Sequence, residues 1–135
     1  MFRSIAILII VALSMRLHSQ TNSICEKVYD TPDSLAKYKD GKKSISKYVN
    51  DKIIPILGDC IKQKMELVNS MTIKFTIDLN GKVIAVDYLK PVLTDYCKGK
   101  LTAELLKMDG WHPGKMLDKN VCSIFIYQIA GIRWE

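Results

Sequence analysis

The sequence predicts an α+β fold: two short helices and a longer helix packed on a three-stranded antiparallel sheet, in the order helix, strand, strand, helix, strand. Three observations carry this expectation. In residues 71–90, "MTIKFTIDLNGKVIAVDYLK", apolar and polar side chains alternate up to an Asn-Gly pair, and a second strand-like run follows it. Between Thr94 and Met108, Leu101, Leu105 and Met108 fall on one helical face. "NVCSIFIYQIA", residues 120–130, is rich in β-branched and aromatic residues and reads as the last strand.

The chain has 135 residues, which suits one domain. Its 48% apolar and 25% charged residues are those of a folded protein. Residues 1–20 stand apart. Arg3 precedes an apolar run from Ile5 to Met15, too short for a bilayer span of about 20 residues and suited to the core of a secretory signal peptide. The expectation is cleavage after Ser19 or Gln20 and export; the alternative is an inner-membrane anchor formed by residues 5–15. Removing residues 1–20 takes away Arg3 and Arg16 and no acid, lowering the formal charge from +6 to +4. So mild an excess, on scattered lysines, argues against a nucleic-acid partner.

Residues 21–43 read as a polar leader, with "TPDS" and "KDGKK" as turn or capping signals. The folded domain is expected over residues 44–135. Its first helical stretch, residues 44–66, has apolar side chains at Ile45, Tyr48, Val49, Ile53 and Ile54, and Pro55 predicts a break before a second short helix near Gly58 to Met65. In the hairpin, Ile73, Phe75 and Ile77 face one side of the first strand. Asn80-Gly81 is the pair that accepts positive φ at both centres of a type I′ turn. Pro91 ends the second strand, and Asp109-Gly110 closes the longer helix.

"WHPGK" follows. Pro113 and Gly114 suit the second and third positions of a type II turn. Trp111 is expected to bury its ring between helix end and sheet, clamping the turn that aims the last strand. In that strand Val121, Ser123, Phe125, Tyr127 and Ile129 share one face, and Cys122, Ile124, Ile126 and Gln128 the other. If it pairs with the first strand it becomes a sheet edge, and the apolar Ile124 and Ile126 on its outer face call for a partner or a cover.

Four cysteines, Cys25, Cys60, Cys97 and Cys122, lie beyond the expected cleavage point. In an exported chain an even number predicts disulfides, and four allow three pairings. A Cys25–Cys122 bridge would carry the leader across the last strand, while Cys60–Cys97 would join the helices and leave the strand open. The apolar outer face favours the open edge. Catalysis is not expected: beyond residue 20, His112 is the only histidine, and bridging would remove any thiolate at Cys97 or Cys122. No metal-ligand spacing and no cofactor motif is present.

Taken in order, "KYVNDKIIPILGDC", "TIKFTIDLNGKVIAVDYLK" and "LLKMDGWHPGK" with "KNVCSIFIYQI" resemble the C-terminal domain of the TonB family, periplasmic energy transducers of Gram-negative bacteria. The resemblance runs from about Ser46 to Trp134. It implies a protein-binding module rather than an enzyme. Its partner would be the N-terminal segment of an outer-membrane receptor or another envelope protein, added as a strand along Asn120, Cys122, Ile124, Ile126 and Gln128. A second copy of the chain is a further partner the edge admits. The chain departs from the family in lacking a proline-rich spacer, in having "IIPILGDC" where the family has Tyr-Pro-x-x-Ala, and in having "NSM" where a glycine usually precedes the first strand. The other reading is a secreted structural domain whose sheet edge is covered by its own leader or by a second copy.

Overall fold

A computed structural model describes residues 25–63 and 68–134. The expected signal peptide, and the alternative anchor at 5–15, lie outside the described residues. The architecture is mixed α+β. In chain order the elements are β1 (Val28–Tyr29), β2 (Lys37–Tyr38), α1 (Lys42–Tyr48), a π-helical turn (Val49–Ile53), α2 (Ile54–Lys62), β3 (Met71–Ile77), β4 (Val83–Lys90), α3 (Asp95–Leu105), β5 (Trp111–His112), β6 (Gly114–Met116) and β7 (Lys119–Ile129).

The main sheet has five strands, ordered β1-β7-β3-β4 with β6 also paired to β7, where three were expected. The three long strands, β3, β4 and β7, are the ones whose alternation is visible in sequence, and they pair antiparallel. The additions, β1 and β6, span two and three residues and are too short to show a period. β2 and β5 form a separate two-stranded ladder.

The helical stretch runs on from Lys42 to Lys62 without the break expected at Pro55. Pro55 falls in the first turn of α2, just after the π-helical turn, where an N–H is least needed. Ile45, Val49, Ile53 and Leu57 of this rod are buried, as are Met71, Ile73, Phe75 and Ile77 of β3 and Leu101 and Leu105 of α3, and together they make the core. Thr94 caps α3 by accepting a hydrogen bond from the Cys97 N–H through Oγ1. A disulfide between Cys60 and Cys97 ties α2 to α3.

Two turns differ from expectation. Asn80 is not left-handed; only Gly81 has positive φ, at 81°. The hairpin closes instead through three residues, Leu79 to Gly81. The Asp78 N–H donates to the Lys82 carbonyl at 2.8 Å, and the buried Asp78 carboxylate accepts from the Asn80 and Lys82 N–H groups, both at 2.9 Å. That is a type I turn closed by a glycine bulge, and the side chain of Asp78, which sequence left unassigned, selects it. Gly81 is needed twice over, because a Cβ there would also run into the Trp111 carbonyl.

At the second turn, Gly114 does not have positive φ, so no type II turn forms at Pro113-Gly114. The chain passes straight into β6, and the reversal comes later, at Leu117 and Asp118, with φ of 48° and 63°. Positive φ at both centres is the type I′ geometry expected for Asn80-Gly81. Gly114 serves a different purpose: a Cβ would collide with the Ser123 side chain and crowd the Ser34 carbonyl.

Candidate functional site

β7 is the hub of the sheet. On one side it pairs with β3 from Ser123, opposite Ile77, to Ile129, opposite Met71. Beyond the end of β3, Lys119 to Val121 pair with β6; on the side away from β3, Cys122 and Ser123 pair with β1, which runs parallel. From residue 124 to 129 no strand lies on that side among the described residues.

The leader accounts for the covered half. Cys25 is bridged to Cys122. The Asp33 carboxylate accepts from the Leu117 N–H at 2.9 Å and so holds the β6–β7 turn. Ser34 and Lys115 exchange both backbone hydrogen bonds, at 3.1 and 2.9 Å. The Lys39 N–H donates to the Gly110 carbonyl at 2.9 Å, and Lys37 and Tyr38 pair with His112 and Trp111. The expectation of an open edge along the whole strand is therefore corrected. Asn120 and Cys122 are already paired, the one to Lys115 and the other to Val28. Ile124 is only 9% exposed, whereas Ile126 is 55% exposed and Gln128 is also exposed.

Trp111 is buried as expected, but in an aromatic cluster rather than at a helix end. Its ring lies 5.3 Å from Tyr38, 5.4 Å from Phe75 and 5.2 Å from Phe125. It thus joins the leader's β2 to β3 and to the open half of β7. Among the described residues its Nε1 has no hydrogen-bond partner, and neither has the buried Ser123 hydroxyl.

Beside the open half lies a groove of about 700 Å³ that sequence reasoning missed. One wall is β7 itself, Phe125 to Gln128; the other is Leu35 to Tyr38 of the leader with Gly41, Lys42, Ile45 and Ser46 of α1 and its start. A hydrogen bond of 3.0 Å between the Ser46 and Tyr127 hydroxyls fixes one end of the floor. The groove is a joint between two segments separated by some eighty residues, and no local pattern encodes it. The available signal was Leu35-Ala36, an apolar pair that follows the polar turn "TPDS" in the leader.

Geometry offers this groove recognition rather than chemistry. All four cysteines are in disulfides, so neither Cys97 nor Cys122 presents a thiolate. His112 sits exposed in the β2–β5 ladder, opposite Lys37. Among the described residues no group of three or more His, Cys, Asp or Glu side chains converges as a metal site. Two tyrosines carry raised pKa values: burial, and then a hydrogen bond to Glu104, pushes Tyr48 up, and burial pushes Tyr88 up to about 12. Both hydroxyls are anchors for α3, Tyr48 donating to Glu104 and Tyr88 sharing a hydrogen bond of 3.0 Å with Thr102. The two disulfides point to an oxidising compartment, extracellular or periplasmic, and no helix among the described residues is long and apolar enough to cross a membrane. Compared with protein-family models, with curated proteins and with solved structures, the chain finds no match.

Proposed function

We propose that the domain is an exported protein-binding module that takes up an extended polypeptide segment as an added strand along residues 124–129. The observation that carries this reading is the division of β7. Within one strand, residues 119–121 pair with β6, Cys122 with β1 and Ser123 with both β1 and β3, whereas residues 124–129 pair with β3 alone and are bare on the other side, beside an apolar groove. Alternate residues of a strand turn their N–H and C=O groups to opposite sides, so the bare stretch offers main-chain bonds to about three residues of a guest. The resemblance to the TonB C-terminal domain makes N-terminal segments of outer-membrane receptors the first candidates, ahead of other envelope proteins. The docking residues would be Ile126 and Gln128, joined by Phe125, Tyr127 and the leader wall.

The Cys25–Cys122 bridge favours a second reading, a secreted structural domain whose leader covers its own edge. Titration of the ¹⁵N-labelled chain, purified from the exported fraction with its disulfides formed, separates the two. The probes are synthetic N-terminal peptides of the host's outer-membrane receptors. Amide shifts confined to residues 124–129 and 35–46 are the expected result. A well-dispersed spectrum that does not move at millimolar peptide would sink the receptor reading and leave the structural one.

A further inference from the structure

The charge around the groove narrows what fits it. The leader and α1 carry lysines at 27, 37, 39, 42, 43 and 47, but they are not equivalent: Lys27 lies over the Tyr29 ring, 4.6 Å from its centroid. Lys47 pairs with Asp51. Lys39 lies over the Tyr38 ring, 5.4 Å from its centroid, and packs on Gly110, outside the groove. Lys37 and Lys42 line the groove, and neither makes an ion pair among the described residues. The stem of Lys37 passes Gly41, its Cε 3.8 Å from where a Cβ there would stand, which brings its ammonium beside the start of α1, next to Lys42. Among the described residues no acidic side chain lines the groove.

From this, and resting on the strand-addition reading above, we infer that the occupant is an acidic extended segment: about six residues with alternate apolar side chains, flanked by carboxylates that meet Lys37 and Lys42. The length follows from the bare stretch, residues 124–129, ~20 Å at roughly 3.3 Å per residue. The apolar alternation follows from the floor, where Ile45, Phe125 and Tyr127 face one side of any added strand. The carboxylates follow from two unpaired ammonium groups on the rim. The same lysines oppose a second copy as occupant. Two copies joined edge to edge at residues 124–129 would bring both pairs of ammonium groups into one joint, and like charges disfavour it.

Three blocked ten-residue peptides test the inference, each with a core of alternating valine and threonine and with two glutamates, two glutamines or two lysines at each end. Their affinities for the disulfide-bonded exported chain are read from ¹⁵N shifts at low and at physiological salt. The glutamate peptide should bind tightest, by up to about fivefold per lysine over the glutamine peptide, an advantage that shrinks with salt. Lys37→Gln with Lys42→Gln, both at exposed positions, should erase the difference between those two peptides. Lys43→Gln with Lys98→Gln should preserve it. Equal binding of the glutamate and glutamine peptides at residues 124–129 would overturn the acidic specificity and leave strand addition standing. No shift with any peptide would overturn both. Shifts at 124–129 that grow with protein concentration alone, with a dimer in sedimentation, would assign the groove to a second copy and overturn the inference.

Discussion

The two halves of β7 share a strand and a core, yet they are finished in different ways. Residues 119–123 are closed by β6, by β1 and by a disulfide, and Cys122 and Ser123 there are almost wholly buried. Residues 124–129 are closed on the β3 side alone, and Ile126 stands half in solvent. The sheet's other edge, β4, shows a third treatment. Its register with β3 slips at both ends, bulging out Ile84 and Leu89, and Asp87 and Lys90 put charge along it. Bulges and charge are the usual defences of an edge that must stay unpaired. The bare half of β7 has neither, and its register with β3 is unbroken. An edge left regular, beside an apolar groove, is one suited to pairing.

The largest expected effect comes from cutting the cover away. Cys25 and Cys122 are 97 residues apart, and replacing both by serine removes a cross-link worth about 4.7 kcal/mol in the chain-entropy account, against about 3.9 kcal/mol for Cys60–Cys97 at a separation of 37. Urea melts of the two double-serine variants should rank them in that order. Amide exchange then asks what the bridge protects. Protection should fall at 119–123 in the Cys25→Ser, Cys122→Ser variant and hold at 124–129, which the leader does not pair. Unchanged protection at 119–123 would mean that the Asp33 and Ser34 contacts hold the leader without the bridge.

The same division decides what sequence could reveal. β3, β4, β7 and α3 are long enough for their periods to show, and Ile73, Phe75 and Ile77 are buried as their alternation requires. The cover was not legible, because its pieces are short: Val28–Tyr29 gives two residues of strand, and Ser34 a single bridge to Lys115. Turn types misled for a related reason. Asn80-Gly81 satisfies the local rule for a type I′ turn, but the carboxylate of Asp78 bonds two N–H groups and widens the loop. Leu117-Asp118 breaks the rule and adopts that turn, held by Asp33 from a distant part of the chain. Gly114 read as a φ requirement and is a steric one, visible only once Ser123 is beside it. The candidate site was legible as a strand and not as a groove, since its second wall comes from the leader.

A smaller effect sharpens the contrast at single residues. Ile124 and Ile126 project from the same face of one strand, two residues apart. Ile124→Ala, at a site 9% exposed, should cost about 2–4 kcal/mol. Ile126→Ala, at 55% exposure, should cost less than about 1 kcal/mol and act on peptide affinity instead. Denaturant melts with peptide titrations of both variants would check the pair. Equal stability losses would show that the open half is closed in solution by something absent from the isolated fold.

The smallest effect concerns the wall on which the groove depends. Tyr48 belongs to α1, whose Ile45 and Ser46 line the groove, and its hydroxyl ties α1 to Glu104 of α3, while Tyr88 ties β4 to Thr102 of the same helix. Unfolded, both phenols ionise near pH ~10. Folded, burial holds Tyr88 up to about 12 and Tyr48 is raised as well. Between those values the folded chain keeps protons that the unfolded chain has lost. The stabilisation is therefore intact below pH ~10 and is lost as the pH rises through about 12; for the partly exposed Tyr88 it is on the order of 1 kcal/mol after screening. Melts between pH 8 and 12 should show this decline, and Tyr88→Phe should flatten it. Because Tyr48 supports the groove wall, directly through α1 and by packing edge-on against Tyr38 of the leader, amides at 124–129 should lose protection at a lower pH than those at 119–123. Simultaneous loss would mean that the two halves of β7 open as one unit, and that the cover on the first also steadies the second.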